Sequence, residues 1–336
     1  MIYPVIRLNI PLNEREMNNF PSVLEAISDL NIDQIEGLLI LARKFKERPS
    51  DSTIFTNHRP IVANSFLENS TRTKTSFAIA TTKLGCRYID FNAETSSLKK
   101  GETLHETLRT LSCQGIDLCI IRSAESFILS KFKKSPPMKL INGGDGTNQH
   151  PTQALLDLFT LLEVEPNLKG KKIAIIGDCI HSRVGNSLCE LLPMFGCKVI
   201  LMGPKEFLPS FPPNQHVTLS TDLDKEMGSI DFLYTLRIQN ERHTNSGSML
   251  IDNYSKDFGI TLKRMNKHGL NIPIFHPGPV NIGIEIDQEI INSPYYMGYE
   301  QVKNSIFMRM AIITTMLQNN DKSVGSFNEN RLQSKL

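Results

Sequence analysis

The sequence has no tryptophan, almost no net charge and no long apolar segment. Its 336 residues include 37 basic and 35 acidic side chains, for a net charge of +2. A charge this small argues against partners held by bulk electrostatics, such as nucleic acids and anionic membranes. No apolar run reaches the roughly 20 residues that span a bilayer. The N-terminal stretch MIYPVIRLNIPLNERE also lacks a basic region followed by an apolar one. We therefore expect a cytoplasmic protein with no nucleic-acid or membrane partner.

Motifs for disulfides, metals and dinucleotides are missing as well. The six cysteines form no CxxC pair, and most lie in apolar segments, where a reduced thiol behaves as a small hydrophobic side chain. No HxxxH, HExxH or Cys/His cluster suggests a metal site. The segment GDCIHSRVGNS lacks GxGxxG spacing, which argues against a dinucleotide site. We therefore predict free thiols and no bound metal.

What the sequence does contain is an alternation of short β-branched runs with segments of helical periodicity. This pattern is typical of parallel sheets covered by helices. Strands are predicted over residues 61–67, 86–91, 117–121, 138–142, 171–176, 197–202, 231–236 and 273–275. Helices are predicted over residues 71–84, 150–164 and 300–318. A chain of 336 residues fits two domains, and we expect the boundary inside or just after the 150–164 helix.

Unusual polar residues follow six of the predicted strands. They are Glu68 with Ser70–Thr73, Arg122, the segment GGDGTNQHPTQ, the segment GDCIHSR, Arg237, and the segment His276–Pro279. In open α/β sheets, ligands collect at the carboxyl ends of the strands, because loops and helix N-termini converge there. The pattern therefore predicts one cleft between two domains.

The stretch FLENSTRTKTSF surrounds Arg72 with three hydroxyls, those of Ser70, Thr71 and Thr73, at a strand-to-helix junction. Free N–H groups at a helix start, hydroxyls and a guanidinium would together hold a phosphate. A single hydroxyl is enough for an ordinary helix cap. Taken alone, the stretch therefore also fits Ser70 as a cap beside a solvated Arg72.

The other polar residues are equally ambiguous when each is considered by itself. His150, with Gln153 three residues later, matches a helix N-terminal capping pattern. Arg122 could form a strand-end salt bridge, Arg183 could be an ordinary surface residue, and Arg237 could decorate a strand end. Their common place after predicted strands is what favours a binding site.

Five motifs, taken together, resemble a known family. They are STRT (70–73), TSSLKKGET (95–103), GDGTNQHPTQALLDLFT (144–160), LRIQNER (236–242) and HPGPVN (276–281). In order and spacing, over about residues 20–318, they resemble the catalytic chains of aspartate carbamoyltransferases, within the aspartate/ornithine carbamoyltransferase superfamily. STRT and HPTQ are shared by carbamoyltransferases generally. LRIQNER and HPGP are more selective, since the ornithine enzymes carry a cysteine-bearing HCLP in place of HPGP.

The resemblance implies a transferase that moves a carbamoyl group from carbamoyl phosphate to L-aspartate, giving N-carbamoyl-L-aspartate and phosphate. This is the committed step of de novo pyrimidine (UMP) biosynthesis, and it needs no metal or other cofactor. The implied fold is α/β, with two domains that each contain a mostly parallel sheet flanked by helices. Residues 1–152 would bind carbamoyl phosphate, with the C-terminal helix (about 300–318) packed back on them. Residues 153–299 would bind aspartate, and 319–336 would form a polar tail.

The resemblance also implies which residues form the site. Carbamoyl phosphate would be bound by Ser70, Thr71, Arg72, Thr73, Ser96, Lys100, Arg122, His150, Gln153, Pro277 and Gly278. The residues expected to act in catalysis are Arg72, Thr73, Lys100, Arg122 and His150. Aspartate would be bound by Lys100, Arg183, Arg237 and Gln239. Thr73, Arg122 and His150 would surround the carbonyl oxygen, where negative charge grows in the transition state.

Ser96 and Lys100 match residues that, in this family, enter the active site of the neighbouring subunit. The resemblance therefore implies a homotrimer with active sites at subunit interfaces, and it leaves open whether regulatory or dihydroorotase chains bind. Residues 239–253 are expected to form a closing loop. The chain departs from the family pattern at Lys74 and Ile282, where arginines are usual, and in its C-terminal tail.

Two other functions are weighed against this one. A carbamoyltransferase for another amino acid would need a differently shaped acceptor site, and paired arginines suit a dicarboxylate better than ornithine. A non-catalytic scaffold of the same family would be expected to lose catalytic positions. The residues expected at the catalytic positions of the motifs are all present in this sequence, which favours an active enzyme.

Overall fold

The structure, a computed structural model, describes residues 19–56, 58–92, 96–238 and 247–319 of the chain. The chain divides into two compact units, one of Met1–Leu155 with Asn304–Leu336 and one of Leu156–Lys303. Each unit is built on its own five-stranded sheet, in which all neighbouring strands are parallel.

The first unit carries the strands β1 (Val23–Leu24), β2 (Ile61–Phe66), β3 (Arg87–Phe91), β4 (Leu118–Ser123) and β5 (Lys139–Asp145). Its helices are α1 (Ile32–Glu47), α2 (Thr71–Lys83), α3 (Leu104–Cys113) and the start of α4 (Pro151–Val164). The strand order is β1-β5-β4-β2-β3. The central strands are almost wholly buried, which is why they read as β-branched and apolar runs.

Helix α2 forms because its apolar residues recur at helical spacing. Phe77, Ala80, Thr81 and Leu84 line one face in the sequence, and all four are fully buried. This face packs against the sheet, so the start of α2 is held at the carboxyl end of β2.

The second unit carries the strands β6 (Lys172–Ile176), β7 (Lys198–Met202), β8 (Val217–Ser220), β9 (Phe232–Thr235) and β10 (Ile274–Phe275). Its helices are α5 (Arg183–Met194), α6 (Leu223–Glu226), α7 (Gly247–Phe258), α8 (Leu262–Lys267), α9 (Gln288–Ile291) and the start of α10 (Gly298–Gln318). The strand order is β10-β9-β6-β7-β8. Its core includes Ile176, Leu233 and Ile274 from three neighbouring strands.

Helix α10 returns to the first unit from Asn304 onward. The guanidinium of Arg309 lies over the ring of Phe77 at 4.8 Å. At the other end of the helix, the Nζ of Lys139 donates to the carbonyl oxygens of Met316 and Asn319, where a cation also complements the helix dipole. The predicted fold class, including the packing of the C-terminal helix on the first domain, is confirmed.

Two strands escape prediction, because their sequences carry little pattern. Strand β1 has only two residues, which pair with Leu140 and Ile141 of β5. Strand β8 is four residues long and half exposed. The predicted closing loop over 239–253 needs correction, since residues from Gly247 onward are helical in α7. Residues 239–246 lie outside the described part of the chain, as do residues 320–336 of the predicted tail, whereas Asn319 is buried.

All six cysteines are free, as predicted, and five of them are buried. Within the described ranges, the helices are too short or too polar to cross a bilayer. The same ranges contain no cluster of three or more His, Cys, Asp or Glu side chains that could hold a metal ion.

Candidate functional site

Each sheet has one pair of neighbouring strands at which the order of the chain reverses. In the first sheet the pair is β2 and β4, because the chain adds β3 on one side of β2 before it crosses to β4. In the second sheet the pair is β6 and β9. Loops that leave the carboxyl ends of such a pair diverge and open a crevice, which is where open α/β sheets bind ligands. Of the described site residues, Thr73, Arg122, Arg183 and Arg237 end or follow these strands, and His150 follows β5, which neighbours β4.

The α2 helix begins without a capping side chain. Ser70 occupies the N-cap position in extended backbone, yet its side chain makes no capping hydrogen bond. By contrast, Asn31, Thr103 and Ser182 each cap their own helices through side-chain oxygens. The free N–H groups and the positive dipole end of α2 therefore remain for a ligand. Ser70 as an ordinary helix cap is not what the structure shows.

Thr73 and His150 meet in the interior of the first unit. The Oγ1 of Thr73 lies 3.4 Å from the Nε2 of His150, and the two residues are only 4% and 3% exposed. His150 precedes α4, and its carbonyl oxygen accepts from the backbone N–H of Gln153 at 3.0 Å. Gln153 is itself buried at the first turn of α4. Two buried side chains from different strand ends thus converge on one position.

Asp145 holds the loop that carries His150, a role that no sequence pattern revealed. Its fully buried carboxylate accepts from the amide of Asn142 at 2.7 Å and from that of Asn148 at 3.0 Å. The backbone N–H groups of Gln149 and Phe127 donate to it at 3.0 and 2.7 Å. A carboxylate with four donors fixes the turn between β5 and α4.

Arg122 lies on β4, between the strands that lead to Thr73 and His150. Its Nε is 2.7 Å from Oε1 of Glu68, and its Nη1 donates to the carbonyl oxygen of Gly143 at 3.2 Å. The strand-end salt bridge considered from the sequence is therefore present. With its side chain only 13% exposed, the guanidinium is fixed at the edge of the sheet where Thr73 and His150 lie.

Ser96 precedes a short 3₁₀ turn, Ser97–Lys100, and Lys100 ends it, before α3 begins. The Oγ of Ser96 accepts from the backbone N–H of Leu98 at 3.3 Å, and Lys100 is exposed. Their assignment to the site of a neighbouring subunit stays a prediction.

In the second unit, Arg183 is the first residue of α5. The Ser182 hydroxyl caps this helix by accepting from the backbone N–H of Gly185 at 3.0 Å. The same loop carries Asp178, whose buried carboxylate lies 2.9 Å from Nδ1 of His181. Local hydrogen bonds such as these order the loop after β6, with Arg183 at its end.

Arg237 follows β9 and is partly buried beside the loop after β6. The backbone N–H of Leu236 donates to the carbonyl oxygen of Ile176 at 2.7 Å. The two segments run so close that a Cβ on Gly177, whose φ is +136°, would lie 2.9 Å from Cβ of Leu236. Arg183 and Arg237 thus follow the two strands that flank the reversal in this sheet, β6 and β9. Gln239, the third predicted aspartate ligand in this segment, lies outside the described residues.

Glu285 organises the segments around Arg237 and the HPGP motif, and sequence reasoning gave it no role. Its fully buried carboxylate accepts from the backbone N–H groups of Ile238 at 2.7 Å and Asn281 at 2.6 Å, and from the amide of Asn281 at 2.7 Å. The Nε2 of His276 lies 3.8 Å from it. On its other side, Nδ1 of His276 accepts from the backbone N–H of Gly278 at 2.7 Å, so the imidazole shapes the turn at Pro277 and Gly278.

Two buried tyrosines of the second unit are kept protonated by their surroundings. Burial, together with the nearby carboxylate of Asp157, raises the pKa of Tyr234 well above its ordinary value. Its hydroxyl donates to that carboxylate at 2.6 Å. Burial, with a contribution from Glu285, raises the pKa of Tyr254 in the same way. Neither hydroxyl can therefore serve as a base near neutral pH.

Comparison with known families finds matches to both units. Residues 24–163 match the description "Aspartate/ornithine carbamoyltransferase, carbamoyl-P binding domain". Residues 169–316 match "Aspartate/ornithine carbamoyltransferase, Asp/Orn binding domain".

Individual relatives and solved structures agree with this match. The aspartate carbamoyltransferase catalytic subunit of Chlorobium phaeovibrioides is 39% identical over 305 residues, which are 88% of this chain and 98% of the relative. That of Streptococcus equi subsp. equi is 37% identical over 309 residues, covering 91% of this chain and 99% of the relative. The catalytic subunit of M. jannaschii aspartate transcarbamoylase superposes with a TM-score of 0.78 at 30% identity, covering 90% of this chain and 99% of that one. Aspartate transcarbamoylase from Trypanosoma cruzi in complex with carbamoyl phosphate gives a TM-score of 0.81 at 28% identity, with coverage of 89% and 97%.

Proposed function

We propose, on the premise that this chain belongs to the aspartate/ornithine carbamoyltransferase family, that it carbamoylates L-aspartate with carbamoyl phosphate. The products are N-carbamoyl-L-aspartate and phosphate, the committed step of de novo pyrimidine (UMP) biosynthesis. The solved relatives from Trypanosoma cruzi include complexes with carbamoyl phosphate and with aspartate, which supports this choice of substrates.

The observation that carries the proposal is the contact between Thr73 and His150, beside an uncapped helix start and on either side of the strand that bears Arg122. The phosphate would bind at the N-terminus of α2, where Ser70, Thr71 and the Arg72 guanidinium add donors to the free N–H groups. Thr73, Arg122 and His150 would face the carbonyl oxygen of the same substrate. Fixed donors of this kind each contribute about 10²–10³ in rate when they stabilise an oxyanion.

Aspartate would be bound mainly by the second unit. Arg183 and Arg237 offer two guanidinium forks, which suit the two carboxylates of a dicarboxylic amino acid. We assign Gln239 to the same substrate, on the strength of its place in the LRIQNER motif. Gln153 and the backbone at Pro277 and Gly278 would orient the carbamoyl nitrogen. We therefore assign the first unit, Met1–Leu155 with Asn304–Leu336, to carbamoyl phosphate, and the second unit, Leu156–Lys303, to aspartate.

The chemistry requires positioning more than it requires a reactive side chain. The aspartate amine attacks the carbamoyl carbon and forms a C–N bond, giving a tetrahedral species whose oxygen carries negative charge. The C–O bond to phosphate then breaks, and the proton lost by the amine passes to the departing phosphate. Holding two anions together in line for this attack is mostly proximity and electrostatics, and no covalent enzyme intermediate is needed.

We further propose that the enzyme is a cytoplasmic homotrimer whose sites lie at subunit interfaces. Lys100 is exposed in the single chain and Ser96 is only partly buried, as expected if they reach the site of a neighbouring subunit. Lys100 would then contact both carbamoyl phosphate and aspartate. Because each site would then need the positive charge of Lys100 from another chain, the isolated monomer should be inactive.

The test is a carbamoylation assay of the purified chain, with aspartate, ornithine and other amines offered in parallel. We expect phosphate release that depends on both carbamoyl phosphate and aspartate, with ornithine giving background rates. Activity with a different acceptor alone would show a carbamoyltransferase of other specificity. Absence of activity with every acceptor, in a folded and trimeric sample, would favour a scaffold. Sedimentation of the same sample decides the oligomeric state.

A further inference from the structure

The C-terminal helix carries a positive charge into the core of the first unit. Arg309 on α10 is 1% exposed, and its neighbours Met308 and Met310 are fully buried and apolar. Burying a charge costs free energy unless the charged group forms hydrogen bonds or ion pairs. An arginine at a position where Met or Leu would pack therefore indicates a specific polar contact. Its Nη1 donates to the Oγ of Ser76, and its guanidinium stacks on Phe77 at 4.8 Å.

Ser76 passes this contact on to the first turn of α2. Its Oγ lies 2.5 Å from the carbonyl oxygen of Arg72 and 3.1 Å from that of Thr73. Because the hydroxyl accepts from the guanidinium, its single proton is directed at these carbonyls. The direction of these hydrogen bonds is therefore set. Arg309 donates to Ser76, and Ser76 donates to the turn that bears Arg72 and Thr73.

We infer, given the proposed function, that Arg309 is a positioning residue for the phosphate-binding turn. It touches no substrate and acts through Ser76, whose hydrogen bonds fix the backbone of Arg72 and Thr73. The N-terminus of a helix has few hydrogen bonds of its own and frays readily. A bond from a fully buried guanidinium holds this end of α2 in the geometry that oxyanion and phosphate contacts demand.

Lys139 supplies a matched control, because it fastens the same helix elsewhere. Its Nζ donates to the carbonyl oxygens of Met316 and Asn319 at the end of α10. The Lys139→Met variant weakens the attachment of α10 without touching Ser76. The Arg309→Met and Ser76→Ala variants break the chain of bonds to α2 from either side.

The experiment measures steady-state kinetics and hydrogen exchange on these three variants and on the Arg309→Met/Ser76→Ala double variant. We expect Arg309→Met and Ser76→Ala each to raise KM for carbamoyl phosphate about tenfold, since displacements of about 1 Å cost up to 10² in rate. KM for aspartate should stay within twofold. The double variant should be no worse than the poorer single one, because both act through one chain of bonds. Lys139→Met should lower the melting temperature but leave KM for carbamoyl phosphate unchanged.

Hydrogen exchange tests the same link without substrate. The backbone N–H groups of Ser76 and Phe77 bond to the carbonyl oxygens of Arg72 and Thr73 by helix geometry. A peptide covering residues 71–80 should therefore exchange faster in Arg309→Met and Ser76→Ala, and at the wild-type rate in Lys139→Met. Because this readout needs no turnover, an inactive wild type would count against the proposed function alone.

Three results would overturn the inference. One is an equal rise in KM for carbamoyl phosphate in Lys139→Met, which would mean that packing of α10 is all that matters. Another is an effect of the double variant equal to the product of the single effects. The third is unchanged exchange over residues 71–80 in Ser76→Ala, the mildest variant and the one that decides if Arg309→Met does not fold.

Discussion

The Oγ1 of Thr73 lies 3.4 Å from the Nε2 of His150, which joins the first turn of α2 to the start of α4. The two residues follow β2 and β5, and β4, which bears Arg122, runs between those strands. The three donors therefore come from three adjacent strand ends. Only the parallel sheet brings them together, since they are distant in the chain.

The first prediction concerns His150. The variant His150→Ala should lower kcat by about 10²–10³, the usual loss for one oxyanion donor. Its pH–rate profile should keep the wild-type shape, because the amine proton is proposed to leave with phosphate and not through the imidazole. Steady-state rates measured between pH 6 and 10 would test both points.

The matched control is His216→Ala, since His216 is an exposed histidine in a loop of the second unit. This variant should behave as wild type. If His150→Ala lost one limb of the pH profile while His216→Ala kept both, His150 would be the base or the acid, and proton transfer to phosphate would be wrong.

The second prediction concerns Lys74, a position at which the family resemblance leads us to expect an arginine. Its Nζ lies 2.8 Å from Oδ2 of Asp90, with the two side chains 38% and 45% exposed. An exposed ion pair contributes about 0–1 kcal/mol, so Lys74→Met should change the free energy of unfolding by no more than that. KM for carbamoyl phosphate should stay within twofold. Urea denaturation at low and high salt, with Asp90→Asn as the reciprocal variant, would reveal the pair. A tenfold loss of carbamoyl phosphate binding in Lys74→Met would instead place Lys74 in the site.

The sequence predicts those elements of the fold whose pattern lies in neighbouring residues. Eight of the ten described strands coincide with β-branched runs in the sequence. These signals rest on neighbouring residues, and they also predict the helical face of Phe77 and Ala80. Strands β1 and β8 are missed because they are short and are held by pairing with distant segments.

The motifs predict which residues gather at the candidate site but not what supports them. Arg309 and Ser76 are 233 positions apart, and Ile238 and Glu285 are 47 apart. No periodicity links such pairs, since each is created by tertiary packing of polar groups that burial forces into hydrogen bonds. Even the absent cap at Ser70 is invisible in the sequence, where STRT fits a capped helix equally well.

The third prediction concerns the cysteines. Burial raises the pKa values of Cys86, Cys119, Cys189 and Cys197 from 9.0 to about 12. At pH 8 these thiols are almost wholly protonated and do not react, because the thiolate is the nucleophile. Cys113 is exposed, so a thiol reagent such as dithionitrobenzoate should label one cysteine rapidly. Labelling of the rest should need denaturant, and Cys113→Ser should abolish the fast phase.

The same shifts set the sign of an alkaline effect on stability. A thiol whose pKa is higher in the folded state makes its full contribution to the free energy of unfolding below pH 9. Between pH 9 and about 12, the unfolded thiols ionise while the buried ones cannot. The free energy of unfolding should therefore fall as the pH rises through this range. Urea midpoints that stayed constant from pH 8 to pH 10.5 would contradict the prediction.

The fourth prediction concerns Glu285, whose carboxylate holds the backbone of Ile238 next to Arg237. In Glu285→Gln, an amide group replaces one of the two oxygens that now accept from N–H donors. Two donors would then face each other in the core, at a cost of about 1–3 kcal/mol. Because Arg237 belongs to the proposed aspartate site, KM for aspartate should rise about tenfold. KM for carbamoyl phosphate should rise less, because Glu285 reaches the turn at Gly278 only indirectly, through His276.

Asp145→Asn is the counterpart in the first unit, since the Asp145 carboxylate is equally buried and accepts four hydrogen bonds where that of Glu285 accepts three. Its loss should disturb the loop that leads to His150, so kcat and KM for carbamoyl phosphate should change while KM for aspartate changes little. The two substitutions remove similar carboxylates but should affect different substrates most, because each carboxylate supports the edge of a different sheet. Suppose instead that both variants raised the same Michaelis constant by the same factor. A general loss of stability would then explain both kinetic effects, and the proposed division of substrates between the two units would be wrong.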